Sequence, residues 1–366
     1  MAAPTCATSG AKLFSLEPNG GGVQIAQLDS SSWREQAHMA YPSAWRVGLW
    51  DEGGHEVLWS STNGSSSADA AVESVPPASR LFAVVDDFPF FWPMTPPVHK
   101  VDVGPEHDNE DDTAASSTSG HGRRVVELRV VSESPRVLVA DGVLSPDECA
   151  ATQAAGAPLL QGSWTFVGGQ STQAGAASPT DPRVQPRTSS TAWLNSTWIT
   201  QLEDGGRLAR SAHRRLAALS RLPLVHAEHM QVLRYLPGGH YHYHLDNGGS
   251  RNIHGRVLTA LVYLSDDFEG GETNFPVSGL PSDSGLNVRN VYHVREHFAN
   301  CQVERGLTVR PRRGSVVLFY SLQPNVEDKD WMAWHGACDV RSGEKWAANF
   351  WWHLGLMRRH SRQPPR

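Results

Sequence analysis

The chain of 366 residues lacks several features that would place it in a specialised class of protein. Its four cysteines are too few to build a disulfide scaffold. No apolar run approaches the roughly 18 residues that a transmembrane helix needs, and no signal peptide is visible in the first twenty residues. The net charge of -6 gives no basic excess for binding nucleic acid. We therefore expect a soluble, cytoplasmic protein with no membrane span and no nucleic-acid partner.

Histidine and tryptophan are the residues present in excess, with 17 His and 13 Trp. Six of the histidines fall between His226 and His254, which is where we look first for a functional site. The hydrophobic fraction of 39% becomes roughly 46% when Gly is added and Tyr removed, which is typical of a globular protein that can form a core.

Changes in composition along the chain predict three parts. Residues 1–105 are β-rich, and two aromatic runs between Ser43 and Trp59 flank a Gly-containing turn that predicts a hairpin. Its tryptophans either fill a small β core, which we favour, or bind a peptide or sugar. Residues 106–124 are acidic and rich in Ser and Thr, which is typical of a solvated linker. Residues 125–360 form the main domain.

The main domain begins with helical patterns and continues with strand patterns. Ser145 and Glu148 predict a capping box at one helix start, and residues 196–222 predict a second helical region interrupted at Gly205–Gly206. The period then becomes two, which predicts an α+β fold whose sheets form a sandwich or jelly roll. Residues 276–305 are polar without a clear period and predict a surface insertion. The predicted strands are Met230–Tyr235, Arg256–Leu264, Ser315–Tyr320 and Lys345–Trp352.

The pair His244 and Asp246 carries the first chemical signal. On a strand the two side chains point to the same face, and a third histidine, such as His335, would complete a 2-His-1-carboxylate triad suited to Fe(II). The H-x-D pair alone is weak, since a solvent-facing histidine strand gives the same pattern. By strict alternation His240 and His242 share the face of His244, and we expect them at the rim of the site rather than on the metal.

Lys345 strengthens this interpretation because it enters the next aromatic strand after His335. A buried lysine in a sheet-lined cavity needs an anion. A dicarboxylic acid that chelates the metal at one end would offer its far carboxylate to that lysine. Three ligands and a lysine in this order on successive strands form a specific signal.

The chain resembles the 2-oxoglutarate/Fe(II)-dependent dioxygenases of the prolyl 4-hydroxylase alpha-subunit type. The resemblance covers Pro135 to His353, about 220 residues. Its motifs are Pro135-Arg136, Leu144-Ser145-x-x-Glu148-Cys149, Arg187-Thr188-Ser189-Ser190, Gln231-Val232-Leu233-Arg234-Tyr235, Gly239-x-Tyr241-x-x-His244-x-Asp246, Arg256-x-x-Thr259, Gly270-Gly271-Glu272-Thr273-x-Phe275, Val309-x-Pro311-x-x-Gly314, His335-x-x-Cys338-x-Val340 and Gly343-Glu344-Lys345-Trp346.

The resemblance implies a double-stranded β-helix, or jelly roll, supported by N-terminal helices and preceded by the small β-rich region. It implies His244, Asp246 and His335 as iron ligands, and Lys345 as the residue that binds the distal carboxylate of 2-oxoglutarate. The same resemblance assigns supporting roles to four further residues. Tyr235 and Thr273 would assist Lys345, Trp351 would lie near the floor of the site, and Arg187 would border a peptide groove.

The implied reaction consumes O2 and 2-oxoglutarate, releases succinate and CO2, and hydroxylates proline at the 4-position in a peptide or protein. Ascorbate would restore oxidised iron. Two alternatives stay open: a related dioxygenase acting on a non-prolyl residue or small molecule, and a non-catalytic binding module with the same fold. The resemblance also makes the endoplasmic reticulum the alternative compartment.

Three residues depart from the family pattern beside the expected site. His240 stands where Gln is common, Asn247 where an aromatic residue often follows the Asp, and Asp339 where Pro usually follows the Cys. We expect these departures to affect substrate preference rather than the chemistry. Cys301 and Cys338 either pair or stay separate, and we expect thiols because no oxidising compartment is indicated.

Overall fold

The computed structural model divides the chain into two compact units, Met1–His99 and Lys100–Arg366. Residues 106–122 of the predicted linker lie outside the described residues. The structure describes residues 13–18, 26–29, 31–40, 46–61, 63, 65–66, 75–77, 79–85, 90–105, 123–167, 170–173, 187–195, 204–247, 255–281, 284–290, 293–294, 297–298, 301, 303–323 and 328–353.

The elements of the first unit are β1 Leu13–Pro18, β2 Ala26–Asp29, α1 Trp33–Ala40, β3 Arg46–Trp50, β4 Glu56–Ser61 and β5 Arg80–Val85. Its strands form one sheet in the order β2-β1-β5-β3-β4. Strands β3 and β4 pair antiparallel, which confirms the predicted hairpin. Trp33 from the helix lies in the apolar core of this unit with Leu28, Leu49 and Leu81.

The second unit contains a nine-stranded sheet and a four-stranded sheet, whose recorded strand pairs are antiparallel. The elements are β6 Val98–Pro105, β7 Arg123–Glu133, β8 Arg136–Ala140, α2 Pro146–Gly156, β9 Gln161–Gly162, β10 Trp164–Val167, β11 Gln170–Gln173, β12 Ser190–Leu194, α3 Asp204–Ser220, β13 Met230–Tyr235, β14 Tyr241–His244, β15 Arg256–Tyr263, β16 Glu269–Gly270, β17 Thr273–Phe275, β18 Leu307–Val309, β19 Val316–Tyr320, β20 His335–Ala337, β21 Val340–Ser342 and β22 Lys345–His353.

The larger sheet has the order β6-β7-β8-β19-β15-β22-β13-β12-β9, and the smaller has the order β14-β20-β17-β18. The four strands predicted from period two are the central strands β13, β15, β19 and β22, so those predictions are confirmed. Leu233, Leu261 and Phe319 from the larger sheet share one apolar core with Phe275 from the smaller. The space between the two sheets is therefore where a buried site can form.

The helices α2 and α3 pack against each other. The predicted capping box is confirmed, with the Ser145 hydroxyl accepting from the Glu148 amide and the Glu148 carboxylate accepting from the Ser145 amide. The expected interruption at Gly205–Gly206 is wrong, because both glycines lie within α3. No helix in the described part of the chain is both long and apolar enough to cross a membrane.

The segment Val277–Cys301, called here the insertion segment, is not simply a polar surface loop. Its Val277, Val294 and Phe298 are almost completely buried. Cys301 forms a disulfide with Cys338, so the expectation of free thiols is wrong. The pairing is long-range, with the two cysteines 37 residues apart, and local composition gave no sign of it.

Candidate active site

Two histidines and an aspartate converge between the sheets. His244 ends β14 and lies opposite His335, the first residue of the neighbouring strand β20. Asp246 lies in the turn after β14, whereas the H-x-D spacing predicts it on the strand itself. Its Oδ1 is 3.5 Å from His244 Nε2, and its Oδ2 is 3.7 Å from His335 Nε2. Among the described residues, these three form the one group spaced to hold a metal ion.

Hydrogen bonds on the far side of each ring orient both imidazoles. His244 Nδ1 lies 2.8 Å from the carbonyl oxygen of His242, and His335 Nδ1 lies 3.0 Å from that of Ala333. A carbonyl oxygen can only accept, so each Nδ1 carries a proton and Nε2 is the ring nitrogen left to bind a metal, through its lone pair. Two lone pairs and a carboxylate therefore face one another. A cation satisfies such a set of donors, so these residues fit Fe(II).

The environment sets the charge of each group. Burial and the neighbouring His244 lower the pKa of His335 to about 4, against the attraction of Asp246, so the His335 ring is neutral near pH 7. Burial alone would raise the pKa of Asp246, but the His335 and His244 imidazoles and Arg256 outweigh it and hold that pKa well below its ordinary value. The aspartate is therefore an anion.

A layer of donors fixes the Asp246 carboxylate. Thr259 Oγ1 donates to Asp246 Oδ2 at 2.6 Å, and Trp351 Nε1 donates to the same oxygen at 2.9 Å. Arg256 lies over the Trp351 ring, with Cζ 3.5 Å from its centroid. These contacts fix Oδ2, the oxygen nearer His335, and thereby orient Oδ1 toward His244. Trp351 thus contacts the carboxylate and is not among the described residues that line the cavity.

A cavity connects the histidines with Lys345. The residues lining it include His244, His335, Tyr235, Thr273 and Lys345, all five of them predicted from sequence. Lys345 is 1% exposed, and its Nζ donates to the Gly271 carbonyl at 2.7 Å. Burial lowers its pKa to about 7, opposed by the charge of Glu272. An anion in this cavity would favour the charged ammonium.

Tyr235 and Thr273 line the same cavity as the lysine. Lys345 Nζ lies 5.1 Å from the centroid of the Tyr235 ring. Tyr263 donates its hydroxyl proton to Thr273 Oγ1 at 2.7 Å, which fixes the threonine. Burial raises the pKa of Tyr235 and the pKa of Tyr263, so both hydroxyls keep their protons and can donate near neutral pH.

Sequence reasoning missed Tyr241 and Asn349, which also line the cavity. The pairing of β14 shifts register between Tyr241 and His244, and this bulge breaks the strict alternation that placed His240 and His242 on the ligand face. The Tyr241 ring stacks on His244 at 3.8 Å between centroids. Asn349 follows Lys345 by four residues on β22, so period two from Lys345 was the signal that could have identified it.

Other predicted features lie around this cavity. Arg187 is buried, with Cζ 4.6 Å from the centroid of the Tyr241 ring. His240 Nδ1 lies 3.1 Å from Asp339 Oδ1, so two of the three departures from the family pattern contact each other. Asn247, the third departure, is 5% exposed and directly follows Asp246.

Comparison with known proteins identifies the class of enzyme to which the chain belongs. The family model described as the 2OG-Fe(II) oxygenase superfamily matches residues 230–353, the span from β13 to β22. That span contains the two histidines, the aspartate and Lys345. The chain is therefore an oxygenase of the 2-oxoglutarate- and Fe(II)-dependent class, as predicted.

Similar individual proteins identify a family within this class of oxygenases. Prolyl 4-hydroxylase 1 of Arabidopsis thaliana is 34% identical over 230 residues, which cover 62% of this chain and 71% of the relative. Prolyl 4-hydroxylase 5 of the same plant is 30% identical over 252 residues, which cover 67% and 77%. A solved viral collagen prolyl hydroxylase from Paramecium Bursaria Chlorella virus-1, in its 2OG complex, is 21% identical, with a TM-score of 0.39 and coverage of 60% and 97%. The chain belongs to the prolyl 4-hydroxylase family of 2OG-Fe(II) oxygenases.

Proposed function

We propose that this oxygenase hydroxylates proline at the 4-position in a peptide or protein substrate. The observation that carries the proposal is the cavity that joins the His244 and His335 rings to the buried ammonium of Lys345. Membership of the prolyl 4-hydroxylase family supports proline as the target. No observation on this chain favours a non-prolyl substrate, and the intact set of charged groups argues against a purely structural binding module.

His244, Asp246 and His335 would hold the iron. Fe(II) bound there supplies, with 2-oxoglutarate and O2, the oxidation that yields succinate, CO2 and a hydroxylated substrate. The chain's own contribution is the orientation of the donors. The backbone carbonyls of His242 and Ala333 fix the two rings, and Thr259 and Trp351 fix the carboxylate.

Lys345 would bind the distal carboxylate of 2-oxoglutarate, assisted by the hydroxyls of Tyr235 and Thr273. A charge-assisted bond in a buried cavity is stronger than the same bond in water. Because one cavity is lined both by the two histidines and by Lys345, the dicarboxylate would be held at both ends and oriented toward the metal. This arrangement explains why a lysine is tolerated in an otherwise apolar core.

The sheets would form a double-stranded β-helix, with α2 and α3 as its supporting helices. Tyr241 and Arg187 would border the entrance used by the peptide, since Tyr241 lines the cavity and Arg187 stacks on it. Ascorbate would act as the reductant that returns oxidised iron to Fe(II).

The first experiment compares His335→Ala with His226→Ala, a histidine at the end of a short helical turn outside the site. We expect His335→Ala to abolish succinate release while circular dichroism shows an unchanged fold, and His226→Ala to keep full activity. Normal succinate release by His335→Ala would refute the ligand assignment.

The second experiment tests the substrate. We expect a proline-rich peptide to stimulate succinate release and to gain one oxygen atom per hydroxylated residue by mass spectrometry. The matched control replaces each proline in the peptide by alanine, and we expect no stimulation. Equal stimulation by both peptides would show that proline is not the target.

A further inference from the structure

The residues just before the two histidines point away from the cavity into a separate apolar cluster. Tyr243 precedes His244 and Trp334 precedes His335, and each is 3% exposed. Both pack with Val277, Val294 and Phe298 of the insertion segment. One small core thus lies directly behind both histidines.

Specific contacts connect this cluster to the histidine strands. Trp334 Nε1 donates to the Val288 carbonyl of the insertion segment at 2.8 Å. The Tyr243 and Phe298 rings meet edge to face, with centroids 5.9 Å apart. A Cβ at Gly336 would approach the Tyr243 ring to 3.0 Å, so β20 lies closely against this tyrosine. The Cys301–Cys338 disulfide joins the end of the segment to the residue three positions after His335.

The pairing of β14 with its neighbour is short, so His244 needs the support of this cluster. This strand has four residues, lies at the end of its sheet and pairs with β20 at Tyr241 and His244 across a register shift. On its other edge, the described residues show an isolated bridge between Arg187 and Tyr241, which lies at the start of β14 and not at His244. A movement of the Tyr243 or Trp334 side chain would move the adjoining backbone, and with it a histidine ring.

We propose that the insertion segment sets the separation of the two histidine rings and thereby the affinity of the site for its metal. Tyr243, Trp334 and Phe298 are positioning residues in this account, since none of them touches the metal. The inference rests on the proposed function for the identity of the ligands. It predicts that a change in the insertion segment, remote from the cavity, weakens metal binding.

The test measures Mn(II) binding to the full chain by electron paramagnetic resonance, without 2-oxoglutarate and without turnover. Phe298→Ala removes the ring behind Tyr243, and we expect its Mn(II) dissociation constant to rise about tenfold, as for other residues that support metal ligands. Leu216→Ala is the matched control, since it also removes a fully buried apolar side chain, from α3, outside the cluster. We expect Leu216→Ala to lose thermal stability and to bind Mn(II) like the wild type.

Cys301→Ser provides a second variant that opens no core cavity, because Cys301 is only partly buried. It releases the disulfide, and we expect weaker Mn(II) binding here too. The proposal is overturned if both variants fold and bind Mn(II) within twofold of the wild type. If the wild type binds no Mn(II), or if His335→Ala binds it equally well, the ligand assignment itself fails, and the two failures are thereby distinguished.

Discussion

At the scale of single residues, the charge of Lys345 depends on whether an anion is bound in the same cavity. Burial holds its pKa at about 7 in the free protein, well below the ordinary value of 10.5. Only the ammonium form attracts a carboxylate. As the pH rises above 7, the free protein must take up a proton in order to bind the dicarboxylate, and binding becomes weaker.

We therefore predict that the dissociation constant of 2-oxoglutarate in the presence of Mn(II) rises toward tenfold per pH unit above pH 7. Isothermal titration calorimetry between pH 6 and pH 9 would measure it. Lys345→Arg keeps its charge over this range, so we expect weaker but pH-independent binding from that variant. A wild-type constant that stays flat up to pH 9 would contradict the prediction.

Residue spacing identified the charged and metal-binding side chains of the cavity but not its local backbone or most of the other residues that line it. His244, His335 and Lys345 were predicted because the chemistry of a chelated dicarboxylate demands two kinds of group in a fixed order. Tyr241 was missed because a bulge has no signature in the spacing of side chains. Asp246 lies close to both histidines, as predicted. It does so from a turn, and the prediction that it lies on a strand was wrong.

At the scale of elements, the pairing of α2 with α3 depends on a buried charge. Glu148 is 2% exposed and accepts from Arg215 Nε at 2.6 Å and from Ser211 Oγ at 2.6 Å. Burial alone would raise its pKa, but the bonds from the Ser145 amide, Ser211 and Arg215 lower it. Glu148 is thus the ionised partner that keeps the buried Arg215 paired.

We predict that Glu148→Gln lowers the free energy of unfolding by about 3 kcal/mol, because removing one partner leaves a buried charge uncompensated. Ser145→Ala tests the cap alone and should cost only about 1 kcal/mol. Urea unfolding of both variants would measure the difference. Equal losses would mean that the cap, and not the ion pair, stabilises the helix pair.

The elements also differ in how well local sequence patterns predict their structure. Strands β13, β15, β19 and β22 were predicted to within about one residue because β-branched and aromatic residues repeat with period two. The buried side chains of the insertion segment were not predicted, since each contacts residues far away in the chain. The Cys301–Cys338 pair has the same origin, because the fold brings the two cysteines together.

At the scale of the whole molecule, the two units have separate apolar clusters, and the described residues of the candidate site all belong to Lys100–Arg366. A ligand that binds only the folded protein stabilises the unit that contains its site, by about 2.7 kcal/mol at a hundredfold excess over its dissociation constant. The cluster around Trp33 and Leu49 lies in the other unit and contributes no residue to the cavity.

We therefore predict that Mn(II) with 2-oxoglutarate, at that excess, raises the midpoint of the larger unit's unfolding by about 5 °C in differential scanning calorimetry of the full chain. The transition of Met1–His99 should stay in place, since none of the described residues of that unit lines the cavity. His335→Ala should abolish the shift, because it removes a proposed metal ligand while the first unit is untouched. A single transition that shifts as a whole would contradict the prediction, because it would show that the two units unfold together.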